Sequence, residues 1–520
     1  MRGVFTAEQM RRVDRRAVAE LGIPGAVLME NAGRGAAAVV RRQLATLGAP
    51  ARGARVVVVC GKGGNGGDGF VVARWLRRQG ARPIVLLAAP EREIGGDAAV
   101  KLRALRAARV RPVLLDDDRA AAGALARADV VVDALLGTGS RGAPEGRIAR
   151  AIELINGCGR PVVALDVPSG VSADGEPPAG PAVRAALTVT FAGWKLGLLE
   201  GAGLELAGRV EVVDIGVPRT ELERDVTTFV LEAADVAPHF PPRPRAAHKG
   251  TFGHLLIVAG SLGKTGAAAL AAAAAVRSGA GLVTVATAAS QQPVVAGLVL
   301  EAMTEPLPET ATHSISATAR DVVLELAARR DAVALGPGLG LDAETQTAAR
   351  ALVGELRAPT AVDADALTAL AGHLELLRDA PGPRCLTPHP GELARMLGAG
   401  TGEVQRDRVA AVRDFATRHR VHLVLKGARS VIGAPNGPVL VNPTGNPGMA
   451  SGGTGDVLTG MLGALLARGL PPDAALQAAV YLHGSAGDIA AERVGEEALC
   501  AGDVIAALPA AFRRLGGAEG

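Results

Sequence analysis

Arg55 to Gly80 reads RVVVVCGKGGNGGDGFVVARWLRRQG, and this stretch decides the fold. After Arg55 its next five residues are apolar without alternation, which marks a strand buried on both faces and therefore a parallel sheet covered by helices. A glycine-rich turn, Gly61–Gly69, follows at once, and an amphipathic segment then predicts a helix. Strand, glycine turn and helix in that order open a βαβ unit.

The pattern repeats outward from there. PIVLLA (83–88), DVVVDALLG (129–137), PVVALDVPSG (161–170), LTVTFAG (187–193) and RVEVVDIGV (209–217) read as further strands of the same sheet. The block closes near Pro218. Four prolines between Pro238 and Pro244 then interrupt any helix or central strand. From His254 the alternation restarts with HLLIVAGS, GLVTVATA (281–288), DAVALGPGLG (331–340), TAVDADAL (360–367), RCLTPHPGE (384–392) and HLVLKGARSVI (422–432). It ends in helices from about Asp456. Two α/β domains are expected, 1–218 and 246–520, with a linker over 219–245; the halves show no internal repeat. The Arg-rich start, MRGVFTAEQMRRVDRRAVAELG, predicts an amphipathic helix and no secretory signal.

Composition agrees. In 520 residues, 48% are apolar and only 2% aromatic, so the cores are built from Val, Leu, Ile and Ala. Gly and Pro make up about 19%, short of the roughly 25–30% of low-complexity chains. Charges balance at 56 basic against 52 acidic residues without a dense basic block, which argues against a nucleic-acid partner. Four scattered cysteines suggest neither a disulfide framework nor a thiolate zinc site. No apolar run reaches about 18 residues, and the longest, Ala267–Val276, reads as a buried alanine helix. A cytoplasmic protein without membrane contact is the expectation.

Ligands of parallel α/β sheets sit at the carboxyl ends of the strands. Gly61, Gly63 and Gly66 have the spacing of a dinucleotide fingerprint, yet Asp68 would put a carboxylate where a pyrophosphate should lie. A bound cation removes that conflict, and Asn65 and Asp68 are oxygen donors suited to a hard ion such as K⁺ or Mg²⁺. Asp133 and Asp166 end two more strands, each before small residues that admit a ligand. Taken singly, each could equally be a cap or a turn residue.

In the second half GSLGKTG (260–266) fails as a phosphate-binding P-loop because Val258 stands where glycine is required. The segment NPTGNPGMASGGTGDVLTGMLGALLARG (442–469) is more telling. Its GGTGD opens a long helix, so backbone N–H groups and the helix dipole converge on an anion beside Asp456. This arrangement suits phosphoryl transfer with Asp456 accepting a hydroxyl proton, and the dipole should lower its pKa. His389 and Glu392 follow another strand, with His389 equally readable as a capping residue; Asp363 and Asp365 are ambiguous turn carboxylates. Only six lysines stand among the 56 basic residues, and Lys62, Lys195, Lys249, Lys264 and Lys426 occupy glycine-containing loops or strand ends. A lysine kept where arginine is the default suggests a need for its compact ammonium.

Together these motifs resemble a known family. CGKGGNGGDGFVVAR, VVDALLGTGSRG and ALDVPSGV are similar to the NAD(P)H-hydrate epimerase domain. HKGTFGHLLIVAGS, GPGLG, DADAL, TPHPGELARML, LKGA and the 442–469 segment resemble the ADP/ATP-dependent NAD(P)H-hydrate dehydratase, a relative of ribokinase-like kinases. Order and spacing resemble the fused bacterial repair enzymes over nearly the whole chain. The resemblance implies two three-layer α/β/α domains, the first Rossmann-like and the second ribokinase-like. It implies epimerisation of R and S NADHX and NADPHX in the first and dehydration of the S form, at the expense of ADP or ATP with Mg²⁺, in the second.

It also implies residues. In the first domain the hydrate would meet Gly64, Asn65, Gly66, Gly67 and Asp68, the loop Gly137, Thr138, Gly139, Ser140, Arg141, Gly142 and Ala143, and Asp166. K⁺ would be held by Asn65, Asp133 and Ser169. In the second domain the hydrate would meet Gly340, then Pro388, His389, Pro390, Gly391, Glu392, Leu393 and Ala394, and Asp456. The nucleotide would meet Lys426, Gly427, Ala428, Arg429 and Ser430, and Asn446, Pro447, Gly448, Met449, Ala450, Ser451, Gly452, Gly453, Thr454 and Gly455. Ser430 stands where the family pattern has Thr, and Gly64 where some relatives have a second Asn; hydroxyl and cation ligand both survive. Asp456 is the expected base of the dehydratase and Asp166 the preferred acid/base of the epimerase, with Asp68 and Asp133 as alternatives. A homo-oligomer is expected. The competing readings are a small-molecule kinase, for which the first domain has no task, and a non-catalytic nucleotide-binding module.

Overall fold

The computed structural model describes residues 1–516. The chain divides between Thr227 and Thr228 into two compact units, apart from Met1.

The first unit is built on seven parallel strands in the order Val113–Leu114, Arg82–Leu87, Arg55–Cys60, Val130–Ala134, Val162–Leu165, Leu187–Phe191, Arg209–Val213. Val56–Cys60 are wholly buried, as their unbroken apolar pattern requires. The chain runs outward from Arg55–Cys60 to one edge and then returns to fill the other side. The two loops that diverge, after Cys60 and after Ala134, therefore open a crevice at the strand ends. Helix Gly64–Arg78 starts inside the glycine turn. Gly61 and Gly66 make that turn possible: a Cβ on Gly61 would lie 2.0 Å from the Leu135 carbonyl oxygen, and one on Gly66 2.0 Å from that of Gly61.

The amino-terminal segment differs from the expected single helix. Arg2–Phe5 is a strand that pairs in parallel with Trp194–Lys195. Only then does helix Ala7–Ala19 begin, closed by a capping box between Thr6 and Gln9. This short pairing fixes Lys195, with Phe5 opposite it.

In the second unit the sheet runs Met303–Leu307, Leu282–Ala288, His254–Val258, Ala332–Leu335, Thr360–Val362, Arg384–Leu386, His422–Leu425, Val431–Gly433, Val439–Val441, Thr228–Val230. It is parallel as far as His422–Leu425. Val431–Gly433 is antiparallel to both its neighbours. Its connections are short enough for hairpins, and short loops cannot make a parallel crossover. The segment 219–245 holds the helix Arg219–Leu222, the strand Thr228–Val230 and the helix Ala233–Val236.

Again the order reverses beside one strand, His254–Val258, and opens a crevice between the turns at Gly260 and Gly336–Gly340. Helix Thr454–Ala467 is buried along its length from Val457, which explains its lack of a polar face. It packs on the alanine-rich helix Thr265–Arg277. At Gly460 a Cβ would fall 2.0 Å from the Ala271 carbonyl oxygen, so only glycine permits that approach. No helix among the described residues is long and apolar enough to cross a membrane.

Candidate functional site

A cleft of about 650 Å³ occupies the crevice of the first unit. Gly64, Asn65, Asp68, Gly137, Thr138, Gly139, Ser140 and Asp166 line it, joined by Lys195 and by Met10, Arg11 and Asp14 of the first helix. Gly66 and Gly67 are buried beneath, Gly67 facing Met29 and Ala98. Arg141, Gly142 and Ala143 are not among the lining residues.

Asp166 sits at φ +67°, a left-handed backbone unusual for a residue with a side chain. Its Oδ1 lies 2.7 Å from Lys195 Nζ, and its Oδ2 accepts from the Thr138 N–H at 3.0 Å. Burial would raise its pKa, but Lys195 outweighs burial and the carboxyl ends below its ordinary value. Asp68 is the reverse case. Burial, then the charges of Asp166 and Asp14, push it well up, with Lys101 and Lys195 opposing. One cleft thus holds one carboxyl shifted down and another shifted up, the opposed environments of an acid–base pair. Asp14 is also raised, by burial and by Asp166.

Asp133 has a different place. It is fully buried, accepts from Ser169 Oγ at 2.7 Å, Ser169 N at 2.8 Å and Leu135 N at 3.1 Å, and does not reach the cleft. Burial lifts it to about 6 against those hydrogen bonds. Asn65 Nδ2 donates to the Leu136 carbonyl at 2.7 Å, while its buried Oδ1 has no partner. An orphaned amide oxygen together with a carboxylate and a hydroxyl is an all-oxygen donor set, which fits a hard monovalent cation. Among the described residues no three His, Cys, Asp or Glu side chains gather as a metal site.

In the second unit the loop after Val441 is laid on helix Pro472–Val494. Asp488 of that helix accepts from Gly445 N at 3.0 Å and Asn446 Nδ2 at 3.1 Å. Pro447–Met449 forms a single turn, Thr454 Oγ1 donates to the Met449 carbonyl, and Gly453 (φ +93°) starts helix Thr454–Ala467. Gly455 follows in the first turn. A Cβ there would be 3.4 Å from Lys426 Nζ. Facing it, Gly427 and Arg429 have positive φ, Arg429 donates to the Pro443 carbonyl, and Ser430 Oγ bonds the Gly427 carbonyl. The Ala428 carbonyl accepts from Arg408. The two segments expected to hold the nucleotide are thus adjacent.

Lys426 Nζ is 2.8 Å from Asp363 Oδ1 and 3.8 Å from Glu392 Oε2. Burial works against its charge, but these two carboxylates outweigh it and raise its pKa. Asp363 Oδ2 accepts from Thr459 Oγ1 at 2.6 Å. Gly340 N donates to Asp365 at 2.8 Å, and Lys264 reaches the same oxygen at 3.1 Å. His389 is a cap: its Nδ1 accepts from Gly391 N and Glu392 N, and Glu392 returns a bond to His389 N. Pro388 accepts from Lys426 N, while Leu393 and Ala394 are buried in the core.

Asp456 corrects one expectation. Its pKa is not lowered by the helix dipole but raised to about 6, by burial and by Asp363, with Lys426 opposing. Half-burial beside a second carboxylate outweighs a dipole effect that falls off within one turn. The raised value suits a base that must hold the proton it takes.

Lys195 and Asp363 are the residues that motif reading left out of the site. The retained-lysine pattern had flagged Lys195; nothing local singled out Asp363 over Asp365.

Comparison with known proteins follows this division. A family described as NAD(P)H-hydrate dehydratase matches residues 255–509, and one described as YjeF-related protein N-terminus matches 25–197. The bifunctional NAD(P)H-hydrate repair enzyme of Moorella thermoacetica is 44% identical over 98% of this chain and 97% of its own length. That of Escherichia coli is 34% identical over 97% and 93%. A Bacillus subtilis ADP/ATP-dependent NAD(P)H-hydrate dehydratase, crystallised with ATP and Mg²⁺, is 32% identical over 55% of this chain and 98% of its own, with a TM-score of 0.48. Full-length identity at this level is decisive, and the chain belongs to the family of bifunctional NAD(P)H-hydrate repair enzymes.

Proposed function

We propose that the chain restores hydrated nicotinamide cofactors in two steps. Its first domain (1–218) interconverts R and S NADHX and NADPHX. Its second (246–520), reached through 219–245, dehydrates the S form using ADP or ATP as the magnesium complex. The observation that carries the reading is the pairing of Asp456, its pKa raised to about 6, with the glycine loop Gly453–Gly455.

In the second domain the amides of that loop hold the equatorial oxygens of the transferred phosphoryl group. Lys426 offsets charge on the nucleotide. Asp456 takes the hydroxyl proton as the oxygen bonds phosphorus and the nucleotide leaves one phosphate shorter. The ring nitrogen lone pair then expels phosphate from the carbon that bore the hydroxyl. Loss of a proton from the neighbouring carbon restores the ring double bond.

In the first domain Asp68 gives its proton to the hydroxyl, which departs as water and leaves an iminium ring. Water adds to the other face and Asp166 takes its proton, Lys195 keeping Asp166 ionised until then. Protons return through solvent in the cleft. Asn65, Asp133 and Ser169 would hold K⁺, which supplies fixed positive charge beside the hydrate.

Recovery of reduced-nicotinamide absorbance from mixed R and S hydrates tests both steps. Full recovery that needs ADP or ATP is expected. Recovery stopping at the S fraction would remove the epimerase; consumption of nucleotide only with other hydroxyl substrates would make the second domain a kinase.

A further inference from the structure

Behind the glycine loop lies a carboxylate outside the residues expected to meet hydrate or nucleotide. Asp363 is 1% exposed and ends the strand Thr360–Val362. One oxygen holds Lys426 Nζ at 2.8 Å; the other holds Thr459 Oγ1, one turn into the helix that carries Asp456, at 2.6 Å. A Cβ on Gly455 would lie 3.8 Å from Asp363 Oδ2, so the carboxylate backs directly on the first turn of that helix. Two elements that must stay in register, the lysine loop and the helix start, are therefore pinned by one side chain.

We propose that Asp363 is the positioning residue of the dehydratase site: it fixes Lys426 against the Gly453–Asp456 turn and sets its negative charge against Asp456. The inference rests on the reading of Asp456 as the base. A carboxylate beside a second, fixed carboxylate holds its proton more tightly, and an ammonium beside it does the opposite. Charged groups that face Asp456 are Asp363 and Asp365 after one strand and Lys426 after another. Lys264 is paired to Asp365, and Glu392 lies near Lys426. Of these only Asp363 touches both the lysine and the base's own helix. Its second role follows from the first. An aspartate that only braced the fold would need neither a buried charge nor a position against the loop.

The test is the pH dependence of kcat for nucleotide-driven dehydration of the S hydrate by the full chain at saturating ADP or ATP. Wild type should lose activity below about pH 6, and Asp456→Asn should lower turnover at least about 100-fold. If wild type has no such activity, or Asp456→Asn keeps it, the reading of the base fails, and with it the proposal. With that established, Asp363→Asn should move the acid limb down by about one pH unit and lower the plateau about tenfold. Lys426→Met should move the limb the other way. Opposite shifts are expected, and the Lys426→Met profile decides alone if Asp363→Asn does not fold. A limb that stays in place while rates fall at every pH would make Asp363 a structural brace and overturn the proposal.

Discussion

Lys195 Nζ lies 2.7 Å from Asp166 Oδ1, and both residues are buried at the end of the first cleft. The ammonium also donates to Thr190 Oγ1 and to the carbonyls of Phe191 and Gly193, so it has no freedom to leave. Lys195→Met strands a buried carboxylate, which costs about 3–5 kcal/mol when a buried pair is broken. Asp166 is below its ordinary value of 3.8 in the folded chain, so the pair's contribution is complete above that pH and drains away as pH falls through the folded value. In the variant burial acts on Asp166 unopposed, so the deficit in denaturant unfolding should be largest near pH 8 and shrink as pH falls and the stranded carboxyl takes up a proton. R-to-S conversion should fall at least about 100-fold. A variant as stable as wild type would mean that Lys195 is not the partner of Asp166.

Epimerisation should show a two-sided pH profile. Asp166 must be ionised and Asp68 protonated, so rates fall in acid through Asp166 and in alkali through Asp68. Asp14→Asn removes one of the charges that raise Asp68. Its alkaline limb should move to lower pH with the acid limb little changed. An alkaline limb that does not respond would take the acid role away from Asp68.

Gly137 separates Asp166 from Asn65. A Cβ there would come 3.1 Å from Asp166 Oδ2 and 3.4 Å from Asn65 Cβ. The second is an ordinary contact, but the first is tight enough that the carboxylate must give by a few tenths of an ångström. Gly137→Ala should slow epimerisation about 10–100-fold with thermal stability nearly unchanged, since small displacements of a reacting group are costly. Unaltered rates would place the reacting carbon away from Asp166.

How far these sites could be read from sequence depends on what each residue answers to. The strands Arg55–Cys60 and His254–Val258 announce themselves because, after the first residue of each, burial on both faces leaves no polar position. The turns at Gly61–Gly69 and Gly453–Gly455 are equally plain, since close backbone approach at Gly61 and Gly66 admits only glycine and positive φ at Gly453 favours it. Lys195 and Asp363 answer to partners far along the chain: Thr459 is 96 positions from the aspartate it bonds. The sign of the Asp456 shift was missed for the same reason. Its local sequence offers a helix dipole, whereas the stronger influences, burial and Asp363, exist only after folding. His389 was open between two uses, and a pair of N–H groups on its Nδ1 makes it a cap.

The orphaned Asn65 Oδ1 leads to a prediction that does not depend on activity. If K⁺ fills that position, the first unit should melt higher in K⁺ than in a bulky organic cation, by about 5 °C at saturation. Asn65→Ala should melt lower in both media, having also lost the bond to Leu136, and should lose the response to K⁺. Equal responses in the two proteins would show that Asn65 is not a ligand.

Asp456 ties stability to function in the second unit. Its folded pKa, about 6, is above its ordinary 3.8, so the folded chain binds this proton more tightly than the unfolded one. That is a raised carboxylate: its contribution is most favourable below pH 4 and is lost progressively as pH rises to 6, leaving the ionised, reactive form as the less stable one. Asp456→Asn removes the charge and keeps the shape. It should raise Tm at pH 7.5 while turnover falls about 100- to 10,000-fold, the loss expected of a general base. At pH 4, where wild-type Asp456 is already protonated in the folded chain, the two proteins should melt together. A stabilisation of the same size at both pH values would mean that the variant acts through packing, and the base would then have to be sought elsewhere in the loop.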